Sequence, residues 1–546
     1  MQSDVVIIGA GLAGLVAANE LVERGKTVTI LDQEGRQNLG GQAFWSLGGL
    51  CMIDTPEQRR MRVKDSIALA TNDWMGAAQF DRPEDHWPRE WARAYLDFAA
   101  GEMRPWLYQL GMRWVPVVVW AERGGSFANG HGNSLPRFHI TCGTGPGVLR
   151  PFEQRVLEAE KQGKATFGFR HRVTGFDISN GKVAGITGDI LAPDDAVRGA
   201  ATNRDVIDSF DIRADQVIVT SGGIGGNFDL VRRNWDASKS GPLPEKMVSG
   251  VPEHVDGLLL DILKAAGGEL INTDRMWHYT EGVQNWDPIW PHHGIRILPG
   301  PSSMWFDATG DRLPAPCMPG FDTMSTLHEI CRRGYDHTWF VLTQKIIEKE
   351  FALSGSEQNF DLTEGGWKDV LKARLGKGAT PAVEAFKEKG EDFVVANDFD
   401  TLVAGMNQLG GNLIDPAKLR AQIEARDAQM DNPFTKDAQV TAIHTARNYL
   451  GDKLIRTAKP HRILDPGKGP LIAVKLHVVT RKTLGGIHTD LDARVFAPGG
   501  QTIGGLYAAG EAAGFGGGGY HGNNALEGTF LGGCIHSGRR AGRAAG

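Results

Sequence analysis

The chain has 546 residues, with 59 Lys and Arg against 65 Asp and Glu and a formal net charge of −6. That length exceeds the roughly 250–300 residues that one hydrophobic core organises, so two or three domains are expected. A near-balanced charge without a long Lys/Arg block excludes a nucleic-acid-tracking surface and points to a small-molecule partner.

The opening "MQSDVVIIGAG" enters a strand and a glycine turn at once, leaving no room for a cleavable leader. No apolar run is long enough to cross a bilayer. "DVVIIGAG" has the continuous apolar pattern of a strand buried on both faces. "LAGLVAANELVERG" then carries apolar residues at helical spacing up to a Gly stop, and "KTVTILD" reads as a second parallel strand. Within this βαβ unit lies the loop "GAGLAG", residues 9 to 14, which also holds Ala13. Gly9 allows the turn, Gly11 lets a pyrophosphate near the backbone, and Gly14 lets helix and strand pack closely. Asp32 ends the second strand where an acid accepts hydrogen bonds from a ribose diol. Strand, triplet, helix, strand and acid in that order predict a Rossmann-type dinucleotide site.

Residues 54 to 112 read as mostly helical, and residues 165 to 219 as short strands ending in "ADQVIVTSGG". Residues 254 to 271, "HVDGLLLDILKAAGGELI", form an amphipathic helix. From 276 the composition changes: Trp, His and Pro cluster in "MWHYTEGVQNWDPIWPHHG", followed by polar helices such as "PAKLRAQIEARDAQM". No His-Glu or Cys spacing there supports a metal, so the cluster is read as a packed or pocket-lining aromatic patch, with no metal site. Strands and glycines return after 465. The expected class is α/β: a discontinuous dinucleotide-binding domain of residues 1–275 and 441–546, with an inserted α+β cap domain at 276–440. Cys51, Cys142, Cys317, Cys331 and Cys534 are widely spaced without a CxxC pair, which suits reduced thiols and a cytoplasmic location.

Two glycine segments separate FAD from NAD. "LGGQAFWSLGGL" places Gly40-Gly41 and Gly48-Gly49 in one loop, and "GGLYAAGEAAG" supplies a late strand, Gly510 and Glu511. With these elements the chain resembles the fumarate reductase and 3-ketosteroid dehydrogenase superfamily of flavoproteins, in residues 4 to 50, 215 to 270 and 469 to 533. The resemblance implies that the early loop, including Gln42 and Ala43, lies along the flavin, and that Glu511 bonds the ribityl hydroxyls. It places Val173 beside adenine, makes Gly222 and Asp256 flavin-side contacts, and sets the N–H groups of Thr529, Phe530 and Leu531 at the negative edge of reduced flavin. In "GFGGGGYHGNNALEG" the bare backbone would pass the flavin ring. Succinate dehydrogenases link flavin to a His where this chain has Gln42, so non-covalent FAD is expected. "GGIGGNF" lacks the last Gly of a second dinucleotide fingerprint.

The same comparison bears on substrate. Dicarboxylate reductases read Gly-x-His-Gly-x-Asn-Arg late in the chain, but here "GYHGNNA" puts Ala525 at the Arg position. Ketosteroid dehydrogenases read Gly-Pro-Phe-Tyr-Ala, but here "GPLIAVK" puts Leu471 and Ile472 in place of Phe and Tyr. Trp120 stands near another family tyrosine, and the family's His pair becomes Arg481-Lys482. For proton transfer the candidates are His139 in "RFHITCGTGPG" and Tyr520, with Arg481 polarising a carbonyl. Each also has a structural reading. His521 is read as a holder of the glycine turn, and Tyr335 as cap core or pocket wall. The expected activity is hydride transfer between flavin N5 and a carbon next to an activating carbonyl, as CH–CH dehydrogenation or the reverse alkene reduction. A ketosteroid-like or other apolar substrate and an unspecified electron acceptor or donor complete it. The alternatives are an electron-transfer subunit and a degenerate flavin-binding homologue without substrate chemistry.

Overall fold

In the computed structural model, which describes residues 3–123, 132–365 and 378–546, the strand Val5–Ile8 buries all four apolar side chains. It does so because it lies inside a parallel sheet, paired with Val28–Asp32 on one side and Val217–Val219 on the other. Ala165–Phe169 extends the sheet beyond Val28–Asp32, and Thr502–Ala508 extends it beyond Val217–Val219. This is the doubly wound arrangement, and its last parallel strand comes from the far end of the chain. The strands His171–Ser179, Lys182–Leu191 and Val206–Arg213 add an antiparallel wing.

Two helices close one face. Leu12–Glu23 and the C-terminal helix Thr529–Ala545 approach closely because small residues meet: a Cβ on Gly538 would lie 2.4 Å from the Ala13 carbonyl, and one on Gly542 2.6 Å from that of Ala17. Gly14 has the packing role its position predicts, since a Cβ there would lie 2.2 Å from the Gly9 carbonyl oxygen. The helical region after residue 54 consists of Pro56–Arg60, Ile67–Ala78, His86–Ala100 and Met103–Gln109.

A second sheet is organised around the strand Leu471–Thr483. Its first half pairs with Thr338–Thr343 and Phe393–Ala396; its second half pairs with Met276–Gln284 and, in parallel, with Met247–Ser249. The apolar run "LIAVKLHVV" buries Ile472 and Val474 in this sheet's own core, while the strand's end carries Arg481 and Lys482 to the first sheet. A small third cluster of Leu47, Val119, Ala121, Phe138 and Leu298 draws on both parts. Among the described residues no helix is long and apolar enough to cross a membrane.

Candidate active site

At the carboxyl ends of the parallel strands, where a doubly wound sheet leaves its crevice, lies a cavity of about 540 Å³. Two helices begin at its wall. Leu12–Glu23 starts after Gly11 and Thr529–Ala545 after Gly528, and neither N-terminus has a side-chain cap. Their unpaired N–H groups and dipoles make both ends receptive to negative charge.

The glycines shape this wall. Gly9 has φ +107° and a Cβ would meet the Thr220 carbonyl oxygen at 2.5 Å, so only glycine makes that turn. Gly11 has nothing within 4 Å of its Cβ position, so a side chain there would enter the cavity itself. Ser221 Oγ and His254 Nε2 face the same space and have no hydrogen-bond partner within the protein. Buried polar atoms without partners are costly. A cradle that side chains would fill, two uncapped helix ends and unpaired polar atoms fit a dinucleotide.

Farther along, Gln42 Nε2 donates to Glu511 Oε2 at 2.5 Å, and Lys482 Nζ donates to Gln42 Oε1 at 2.5 Å. Lys482 also lies 3.5 Å from Glu511. Asp32 accepts from the N–H of Ala10 at 2.7 Å and of Glu34 at 2.8 Å, and burial raises its pKa. Of the residues singled out from sequence, Gly9, Gly11, Ala13, Asp32, Gly40, Gly41, Gln42, Ala43, Gly48, Gly49, Val173, Gly222, Asp256, Gly510, Glu511, Phe530, Leu531 and Arg481 all line this one cavity. Thr529 does not; its hydroxyl is 2.8 Å from His521 Nε2, inside the turn that His521 holds.

Both expected proton-transfer residues require correction. His139 is fully buried and away from the cavity wall. Its Nδ1–H donates to the Arg137 carbonyl at 2.8 Å, and its Nε2 accepts from the Thr55 hydroxyl at 2.7 Å, since a carbonyl oxygen can only accept. Burial lowers its pKa to about 4. Tyr520 is equally buried; its hydroxyl donates to the Thr529 carbonyl at 2.5 Å, and desolvation raises its pKa. Tyr335 and Trp120 are also outside the wall, Trp120 lying under the Arg123 guanidinium at 4.8 Å. The bare glycines after Phe515 serve packing: a Cβ on Gly516 would lie 2.5 Å from Trp91, and one on Gly517 2.8 Å from Pro88.

In their place the structure brings Tyr279, Arg296 and Glu527 to the cavity. Arg296 Nη1 donates to Glu527 Oε1 at 2.6 Å, and its guanidinium lies 3.7 Å from the Tyr279 ring centroid. Burial, and a hydrogen bond from its hydroxyl to Glu527, hold Tyr279 far above the usual phenol range. Glu281 and Glu122 lie 3.6 and 4.0 Å from the same guanidinium. The sequence signal for Arg296 is a charge inside the apolar strand "GIRIL"; Glu527 precedes the helix-starting Gly528. Among the described residues no group of three His, Cys, Asp or Glu side chains is placed to hold a metal ion.

The sequence profile of the family described as FAD binding domain matches residues 4–531. The chain belongs to the FAD binding domain family. A KsdD-like steroid dehydrogenase of Mycolicibacterium smegmatis is 59% identical over 531 residues, 97% of this chain and 96% of the relative. Among solved structures, the 3-ketosteroid Δ1-dehydrogenase of Sterolibacterium denitrificans, in complex with 1,4-androstadiene-3,17-dione, aligns with a TM-score of 0.68 at 16% identity, covering 100% of this chain and 99% of that one. The 3-ketosteroid Δ4-(5α)-dehydrogenase of Rhodococcus jostii RHA1, in complex with 4-androstene-3,17-dione, aligns with a TM-score of 0.64 at 18% identity, covering 100% of this chain and 96% of that one. This member of the FAD binding domain family is therefore an FAD-binding dehydrogenase homologous to the KsdD-like steroid dehydrogenases.

Proposed function

We propose that this flavoprotein transfers hydrogen at a CH–CH bond next to a carbonyl in a neutral, ketosteroid-like substrate, with FAD held non-covalently. The observation that carries the reading is the pairing of Tyr279 with apolar walls: Leu47, Ala121, Phe138 and Leu298 line the same cavity as its phenol. An apolar chamber with a few placed polar groups suits a ring ketone.

Bound FAD supplies hydride acceptance or donation at N5. Gly11 and the start of Leu12–Glu23 would hold its pyrophosphate, Gln42 and Glu511 its flavin side, and the end at Gly528 its negative edge. Tyr279 keeps its proton near neutral pH and holds it at the cavity wall, while Arg481 faces the same space as a cation able to polarise a carbonyl oxygen. Arg296 and Glu527 fix the phenol from behind. His139 and Tyr520 have structural roles in this reading.

Gln42, a neutral amide committed to Glu511 and Lys482, supports non-covalent attachment. A division into a discontinuous dinucleotide domain and an inserted substrate-side cap goes with this reading, but with the return lying within Leu471–Thr483 rather than at 441, since the first half of that strand and Ala458 and Ile463 belong to the second core. Five unpaired cysteines favour a reducing, cytoplasmic setting. The partners are the small-molecule substrate and a separate electron acceptor or donor.

The test is anaerobic stopped-flow of the holoenzyme. 4-Androstene-3,17-dione is expected to bleach the oxidised flavin, or 1,4-androstadiene-3,17-dione to restore the reduced one. Silence towards both steroids and a panel of cyclic enones would overturn the proposal.

A further inference from the structure

We propose that Glu527 bars dicarboxylates from the cavity by keeping the Arg296 guanidinium as its own ion-pair partner. The inference deepens the reading of a neutral carbonyl substrate and rests on it.

A guanidinium facing a substrate cavity is the usual clamp for a carboxylate, because its planar fork matches two oxygens. Arg296 lines the cavity, yet it is only 4% exposed; Nη1 is hydrogen-bonded to Glu527, while Nε and Nη2 have acids nearby but no hydrogen-bond partner in the protein. Glu527 Oε1 is 2.6 Å from Nη1, Glu281 Oε2 3.6 Å from Nε, and Glu122 Oε2 4.0 Å from Nη2. Three carboxylates around one cation already exceed its charge. Burial pushes Glu122 and Glu281 above the ordinary carboxylate range, and the neighbours Asp322 and Glu527 push Glu122 further. Both are therefore costly to ionise where they sit, and the shortest pair, Arg296 with Glu527, is the hydrogen-bonded ionic contact. An incoming dicarboxylate has to displace Glu527 or add charge to a desolvated acidic cluster, both unfavourable.

The other positive groups do not replace the lost clamp. Lys482 is engaged by Gln42 and Glu511. Ala525 is buried and is not part of the cavity wall, so its position offers no cation. Arg481 faces the cavity while donating to the Gly250 carbonyl, and its field lowers the pKa of nearby Glu357, which burial raises to about 7 overall. One guanidinium serves one carbonyl oxygen; two carboxylates need a second.

The test compares wild type, E527Q and the E527Q/R296M double variant as FAD-loaded proteins. Fumarate and 4-androstene-3,17-dione are titrated separately, following perturbation of the flavin spectrum. E527Q is expected to bind fumarate at least about tenfold more tightly than wild type, a gain of about 1.4 kcal/mol, and the double variant to lose that gain. Equal fumarate affinity in wild type and E527Q, or a gain that survives removal of Arg296, would overturn the inference. If E527Q does not retain flavin, E527A makes the same comparison. Absence of any steroid response in wild type tells against the substrate reading, and the fumarate comparison still reports on Glu527.

Discussion

The Arg296 guanidinium stacks over the Tyr279 ring at 3.7 Å, while Nη1 of the same guanidinium reaches Glu527 at 2.6 Å. A cation over a ring face favours that ring orientation, and desolvation strengthens the contact. The phenol therefore points one way, with its hydroxyl hydrogen-bonded to Glu527 and its proton tightly held.

Replacing Tyr279 by Phe keeps the ring under Arg296 and removes only the hydroxyl. Reoxidation of the reduced flavin by 1,4-androstadiene-3,17-dione, the direction in which hydride leaves the flavin and the protonated phenol gives its proton to the substrate, is expected to fall about 10²- to 10⁴-fold, the range of general acid–base catalysis. Flavin content and melting temperature stay near wild type. A loss in that rate below about threefold removes Tyr279 from proton transfer.

The phosphate cradle is testable at Gly11, which has φ −76° and ψ −178°, a conformation open to any residue. Because nothing lies within 4 Å of its Cβ position, Gly11→Ala folds, but its methyl occupies cofactor space. Titration of apoprotein with FAD, followed by fluorescence quenching, should show affinity lower by about tenfold or more, or roughly 1.4 kcal/mol. Acid precipitation of the wild-type holoenzyme should leave a colourless pellet and a yellow supernatant. A flavin that stays with the pellet contradicts non-covalent attachment.

The glycine-lined side of the cavity is legible because its signals are local: a buried strand, a glycine turn and an apolar helix lie within residues 5 to 23. The wall proposed to be catalytic is assembled from remote pieces. Arg296 and Glu527 are 231 positions apart, and no short motif joins them. His139 and Tyr520 carry reactive groups in motif-like settings, but burial is set by what packs around them, here Thr55 for one and the Thr529 carbonyl for the other. The long strand Leu471–Thr483 reads as a strand from its apolar residues. That its first half belongs to a second sheet depends on Thr338–Thr343 and Phe393–Ala396, which the local pattern does not name.

His139 should reveal itself in stability rather than turnover. Its folded pKa of about 4 lies below the ordinary value of 6.5, so its contribution is fully present above pH 6.5 and is lost as pH falls towards 4. By linkage, lowering the pH from 7.5 to 5 removes about 2 kcal/mol through this residue. His139→Gln cannot titrate there. Its urea-unfolding free energy should fall less steeply over that interval, although it is lower than wild type at pH 7.5. Buried His278, with a pKa of about 4, and His293, with one of about 3, act with the same sign in both proteins, so the difference isolates His139. A folded variant that loses turnover by more than about 10²-fold restores His139 as a proton carrier.

Arg137 holds the strand that brings Phe138 to the cavity. Its guanidinium contacts Asp65 at 2.7 Å and Asp73 at 2.6 Å, with all three side chains at most 1% exposed. Arg137→Met leaves two carboxylates buried without their cation, and loss of one partner of such a group destabilises by about 3–5 kcal/mol. Urea unfolding should show that loss. Adding Asp65→Asn and Asp73→Asn removes the stranded charges and should recover most of it, because the large term is the unpaired charge. If the triple variant recovers stability but its steroid KM rises while kcat holds, Arg137 also positions Phe138 against the substrate. If KM is unchanged, the network serves the fold, and Phe138 is held by its packing with Leu47 and Val119.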